Sequence, residues 1–81
     1  MKKIEVLGVG CPNCIKTEKL IREHLAEKGW VDGDDYRIEK VADPNEIAAR
    51  GVFATPGVAL DGKVVSRGRI PSRGDIKSWF S

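Results

Sequence analysis

The sequence is short of metal donors: it has one histidine, His24, and two cysteines, Cys11 and Cys14. A structural zinc site takes four ligands from protein. His24 falls mid-helix, about three turns from Cys11, so it does not join both cysteines on one ion. A mononuclear zinc site built within one chain is therefore disfavoured, while a metal bridging two chains stays open. Long apolar runs are missing too. Ile4 to Val9 is short and broken by Glu5, which does not suit a signal peptide, and no stretch approaches a membrane span. A cytoplasmic protein is expected. A dominant charge sign is also absent: 14 basic and 12 acidic residues interleave to a net +2. That is a solvated mixed surface rather than a nucleic-acid face. Arg67, Arg69 and Arg73 form a weak basic patch, without the interleaved aromatics that single-strand binders use. Finally, the cysteines are too few and too close to staple the fold. A Cys11–Cys14 bridge closes a tiny loop and removes little unfolded-state entropy.

What is present suits one globular domain over residues 1–81, with 41% hydrophobic and 32% charged residues and a small core. Lys2 to Leu7 alternates loosely around Ile4 and Val6 and reads as a strand. Gly8 and Gly10 break it. Pro12 suits a first helical turn, and Asn13 to about Lys28 are good helix formers. Cys14, Thr17, Ile21, Leu25 and Lys28 fall at helical spacing, Leu20 widens the stripe, and Gly29 ends it. After the turn signal Asp32-Gly33-Asp34-Asp35, Tyr36 to Val41 forms a second strand, with Tyr36, Ile38 and Val41 facing core.

Asp43-Pro44 opens a short helix through Arg50, with Asp43 as N-cap and Glu46 at capping-box spacing; Gly51 closes it. Val58 to Leu60 and Lys63 to Ser66 flank Asp61-Gly62, a two-residue hairpin signal. Pro71-Ser72 opens a last helix with Ile76, Trp79 and Phe80 on one face. The order βαβαββα gives an α/β fold. Its four-stranded mixed sheet has the first two strands parallel, the last two antiparallel, and helices on both faces.

The chemistry concentrates at Cys11-Pro12-Asn13-Cys14, at a strand-to-helix junction. A first helical turn presents unpaired N–H groups and a positive dipole end, which lower a thiol pKa. Cys11, just before the helix, is the expected exposed nucleophile. Cys14, at the head of the buried stripe, is the expected resolving thiol. Pro12 and Asn13 hold the sulfurs within bonding reach, and Lys16 is the nearest cation in sequence. In a reducing cytoplasm such a pair points to catalysis or to metal binding, not to a permanent crosslink. A second feature is Thr55-Pro56, which follows a short apolar run and precedes a strand. The trans form is the commoner one for an arbitrary X-Pro bond, and this context raises the odds of cis.

Together with Asp43-Pro44-Asn45-Glu46-Ile47, Gly51 to Pro56, Asp61-Gly62-Lys63-Val64-Val65 and Gly68-Arg69-Ile70-Pro71-Ser72, these residues resemble the thioredoxin superfamily. The likeness is to its minimal archaeal and bacterial branch, the small redox-active disulfide proteins or glutaredoxin-like thioredoxins, and it spans nearly the whole chain. The resemblance implies a thioredoxin-like fold and a thiol–disulfide oxidoreductase that reduces protein disulfides through Cys11 and Cys14. It implies a cis bond before Pro56 against the disulfide, and backbone pairing of Thr55 with a partner's extended peptide. Gly57 and Gly68 would keep that surface open.

It further implies no cofactor beyond the redox-active disulfide, disulfide-containing protein substrates, and a flavin-dependent, thioredoxin-reductase-like electron donor. No nucleic-acid or membrane partner is expected. Larger relatives carry Trp where Gly10 stands, and Gly-Pro where Pro12-Asn13 stands. They also bury an acid under the site; Glu5 is in that strand, but parity with Ile4 and Val6 turns it to the opposite face. The alternative is a soft-metal or arsenic-binding CxxC module. Copper chaperones show Met before the first cysteine and a βαββαβ order, whereas this chain has Val9-Gly10 and a helix before its third strand. An interaction protein without redox chemistry would have no use for the cysteine pair and Thr55-Pro56.

Overall fold

The computed structural model describes residues 2–9 and 12–80. Gly10 and Cys11 lie outside the described residues, as do Met1 and Ser81. The elements are β1 (Lys2–Leu7), α1 (Pro12–Glu27), β2 (Tyr36–Val41), α2 (Pro44–Ala49), β3 (Gly57–Leu60), β4 (Lys63–Arg67) and α3 (Arg73–Trp79). One mixed sheet runs in the order β2-β1-β3-β4. β1 pairs with β2 in parallel, from Lys2↔Tyr36 to Leu7↔Val41. It pairs antiparallel with β3, from Ile4↔Leu60 to Leu7↔Gly57. β1 is thus flanked on both sides, and both its faces are covered.

That double coverage sets the core. On one face Ile4, Val6 and Val58 pack with Ile21 and Leu25 of α1 and with Ile76 and Phe80 at the α3 end. On the other, Leu7, Val41 and Ala59 pack with Ile47 of α2 and with Val52. Each fully buried aliphatic side chain contributes about 1.5–3 kcal/mol. Cys14, Thr17, Ile21 and Leu25 form the buried stripe of α1. Lys28 does not extend it. Lys28 sits past the helix end, exposed, and its ammonium donates to the Phe80 carbonyl at 2.8 Å. Trp30 and Trp79 are half-buried against the same core, Trp30 edge-on to Phe80 at 5.7 Å between ring centroids.

Turn chemistry fixes the ends. Asp61 and Gly62 both take positive φ, 49° and 89°, the pair of conformations a tight hairpin needs. Asp43 does cap α2, but its carboxylate accepts from Asn45 N at 2.9 Å, not from Glu46 N. The reciprocal capping box instead opens α3. The Ser72 hydroxyl accepts from Asp75 N, and the Asp75 carboxylate accepts from Ser72 N, both at 3.1 Å. These positions share the same residue spacing; only the backbone geometry of each entry turn separates them.

Candidate active site

The end of β1, the start of α1 and the segment before β3 meet at one end of the sheet. Cys14 lies in the first turn of α1 and is 6% exposed. Thr17, one residue short of a turn further on, is fully buried and its hydroxyl donates back to the Asn13 carbonyl at 2.8 Å. Pro12 and Asn13 are exposed. The expected nucleophile Cys11 lies outside the described residues; it immediately precedes Pro12 in the chain.

Gly8, just after β1, is what lets α1 approach so closely. A Cβ on Gly8 would overlap the Cys14 sulfur, and it would stand 3.7 Å from the Thr55 Cβ. Gly8 N donates to the Val41 carbonyl at 2.9 Å, which ties this point to β2. Sequence spacing marks Gly8 only as a strand breaker. Its role as the gap between Cys14 and Thr55 is tertiary.

The Thr55–Pro56 peptide is cis. Pro56 is fully buried while Thr55 is exposed. The Pro56 carbonyl accepts from Gly68 N at 3.0 Å, which brings the exit of β4 against this segment. Gly68 has φ of 77°, and a Cβ there would press on Ala54 at 3.3 Å. Gly57 differs from expectation. It is buried in β3, where a Cβ would meet Val52 and Leu7 side chains at 3.0 and 3.3 Å. Gly57 therefore makes room for core packing, not for an open surface.

Around this end Val9, Ile15 and Phe53 are exposed, Phe53 by 86%. Beside Cys14 a small cleft of about 50 Å³ is lined by Val6, Gly8, Cys14, Ile15, Glu18 and Lys40. The Glu18 carboxylate receives Arg22 Nε at 2.9 Å and lies 3.2 Å from Lys40 Nζ. Burial pushes the Glu18 carboxyl up, but the hydrogen bonds from Arg22 and Lys40 outweigh it and hold it below the usual range. The Glu18–Arg22 spacing is legible in sequence; Lys40 arrives from β2 through the fold alone.

Glu5 turns to the α2 face, as strand parity implies. It is buried, and it is paired: Arg50 donates to its carboxylate at 2.6 Å. That hydrogen bond raises the Arg50 pKa above its ordinary value. Arg67 donates to the Gly51 carbonyl and Arg69 pairs with Asp75, so both basic groups are engaged within the chain. Among the described residues no cluster of three or more His, Cys, Asp or Glu side chains is arranged to hold a metal, and no helix is long and apolar enough to cross a membrane.

The family model described as a thioredoxin domain matches residues 2–81. The chain belongs to the thioredoxin family. Similar to it is a protein named thioredoxin from Methanothermobacter thermautotrophicus, 38% identical over 81 residues that cover all of both chains. A second, also named thioredoxin, from Methanocaldococcus jannaschii, is 44% identical over 77 residues, covering 95% of this chain and 84% of that one. With a four-stranded mixed sheet and three helices among the described residues, this thioredoxin-family chain has the expected α/β fold. It is a thioredoxin-like thiol–disulfide oxidoreductase, acting on disulfide-containing proteins.

Proposed function

We propose that the activity runs through Cys11 as nucleophile and Cys14 as resolving thiol. The Cys11 thiolate attacks a substrate disulfide and forms a mixed disulfide, releasing one substrate thiolate. Cys14, deprotonated, then attacks the Cys11 sulfur. The Cys11–Cys14 bond forms, the mixed bond breaks, and the second substrate sulfur leaves with the electron pair. The protein dithiol is oxidised and the substrate disulfide is reduced.

The observation that carries this is the seat of Cys14: buried in the first turn of α1, against Gly8, with Thr55 and the buried Pro56 alongside. A shielded second sulfur suits a thiol that acts only after a mixed disulfide has formed one turn away. Pro12 at the first helical position leaves no N–H to be satisfied there. Thr55, exposed ahead of β3, offers backbone to an extended substrate segment. Gly68 leaves Ala54 uncrowded, and Val9, Ile15 and Phe53 give an apolar rim for the substrate. A flavin-dependent disulfide reductase returns the electrons, and a reducing cytoplasm suits the cycle.

The test is insulin reduction by the wild type, Cys11→Ser and Cys14→Ser. Wild-type turnover with loss in both variants is expected, with Cys14→Ser accumulating a covalent mixed disulfide. Wild-type turnover no faster than Cys11→Ser overturns the assignment.

A further inference from the structure

Two Asp-Gly steps stand outside the redox motif: Asp32-Gly33, in the turn before β2, and Asp61-Gly62, at the tip of the β3–β4 hairpin. At Asp-Gly a chain can rearrange its own backbone. The glycine nitrogen, with no side chain to hinder it, attacks the aspartate carboxyl carbon. Water leaves and a five-membered succinimide forms. Water then reopens the ring at either carbonyl, giving aspartate or isoaspartate. The attack needs a carboxyl group that is protonated and free to swing onto the following nitrogen.

The two steps are restrained differently. At Asp32-Gly33 both reacting groups are engaged: Gly33 N donates to the Tyr36 carbonyl at 2.8 Å, and the Asp32 carboxylate takes Arg22 Nη1 at 2.7 Å. At Asp61-Gly62 the nitrogen is open. No carbonyl outside the strand ladders takes the Gly62 N–H among the described residues. A Cβ on Gly62 would meet nothing within 4 Å, and the Asp61 side chain is 53% exposed, so water has access. Here the carboxylate is what the fold holds. Lys3 N donates to its Oδ1 at 2.9 Å, and Lys2 Nζ lies 3.4 Å from its Oδ2. Asp61 N returns a bond to the Lys3 carbonyl at 2.8 Å. Both carboxylate oxygens are thus tied to β1. The Lys3 hydrogen bond, with Lys2 adding to it, also keeps the Asp61 carboxyl below its ordinary value, so its reactive protonated form is scarce.

We propose that Asp61-Gly62 is a latent isoaspartate site that the start of β1 keeps closed: the Lys3 N–H and the Lys2 ammonium hold the Asp61 carboxylate off the Gly62 nitrogen. Ring closure forms the bond from Gly62 N to Asp61 Cγ and releases water. Hydrolysis takes water back, so the net change is an isomerisation with no other reactant. An isoaspartyl residue carries the main chain through its side-chain methylene and lengthens the turn by one carbon. That turn sets the Leu60↔Lys63 pairing, and the other end of the same hairpin is the Gly57↔Arg67 pair, next to Pro56 in the chain. Damage at the tip therefore enters the element that carries the cis proline.

The experiment is ageing of the reduced full-length chain in warm, mildly acid buffer, with isoaspartate counted separately at residues 32 and 61 by peptide mapping. Folded wild type is compared with the same chain in urea and with two altered folded chains. One is Lys2→Met. In the other the Lys3 amide nitrogen is replaced by an ester oxygen, by joining a synthetic 1–10 thioester to 11–81 at Cys11. The ester removes the donor to Asp61 and keeps Lys2 N, which donates to the Asp35 carbonyl on the β2 side. In urea both sites are expected to isomerise at similar rates. Folding slows residue 61 at least about thirtyfold, because reaction then waits on local opening. The ester speeds residue 61 about fivefold, the net worth of one hydrogen bond, and leaves residue 32 unchanged. Lys2→Met shows the same selectivity at about twofold, as for an exposed ion pair. Folded wild type that isomerises at residue 61 as fast as in urea overturns the proposal. So does the absence of any acceleration at residue 61 in the altered chains, or an equal acceleration at residue 32, which is loosening of the whole fold.

Discussion

A methyl group on Gly8 would occupy the space of the Cys14 sulfur. The closeness of these two residues, one at the end of β1 and one in the first turn of α1, determines how near the helix comes to the sheet at the site. It also makes Gly8 a sensitive probe. Gly8→Ala forces the sulfur or the helix start to move, and the clash is with a side chain on a packed helix, not with a flexible tip. Overpacking of this kind costs about 1–3 kcal/mol. Urea unfolding of the reduced protein is expected to show that loss. Insulin reduction should fall with it. An unchanged urea midpoint would show that α1 is free to shift.

The Glu5–Arg50 pair separates a pair's presence from its removal. Glu5 is 2% exposed. Arg50→Ala leaves its carboxylate buried without its cation, an effect of about 3–5 kcal/mol. Replacing both, as Glu5→Leu with Arg50→Met, is expected to be near neutral by comparison, since no uncompensated charge remains. Chemical unfolding of Glu5→Leu, Arg50→Met and the double variant forms the cycle, with Arg50→Ala measured beside it. A single Arg50→Ala loss below about 1 kcal/mol would mean that solvent reaches Glu5.

Acid should act through Glu18. Its pKa is lowered in the folded chain, so folding is favoured by its ionised form. The sign follows: the contribution is present above the unfolded glutamate value and is lost as pH falls through the lower folded value. Asp75, lowered chiefly by the backbone hydrogen bond from Ser72, acts in the same direction. The urea midpoint of the wild type is expected to fall with acidification across the carboxylate range, and that of Glu18→Gln to fall less steeply. Parallel curves would remove Glu18 from the linkage.

Capping of α3 is a local effect and can be isolated. Ser72→Ala removes the hydroxyl that accepts from Asp75 N. The expected loss is about 1 kcal/mol, or about 4–8 °C in Tm for a domain of this size. Insulin reduction at moderate temperature is unaffected. Thermal unfolding followed by circular dichroism measures it.

Phe53 tests the apolar rim. Being 86% exposed, it contributes little to the core. Phe53→Ser should leave Tm unchanged and lower kcat/KM for insulin by roughly fivefold, about 1 kcal/mol of binding. The loss should appear in KM. A change in Tm without a change in KM would assign Phe53 to folding instead.

Much of this molecule is local, and the local part is legible. The β1 alternation, the Cys14–Thr17–Ile21–Leu25 stripe, the Asp61-Gly62 turn and the Asp43-Pro44 helix start each depend on residues a few positions apart, which propensity and steric limits decide. The Cys11-Pro12-Asn13-Cys14 motif is legible for the same reason. The tertiary structure decided which charges meet. Glu5 finds Arg50 45 residues away, and Lys40 reaches Glu18 because β2 lies parallel beside β1. It also decided that Gly57 serves the core while Gly8 serves the sulfur. Sequence marks where a glycine breaks a strand or ends a helix, but what a missing Cβ makes room for depends on the neighbours that the fold brings to it.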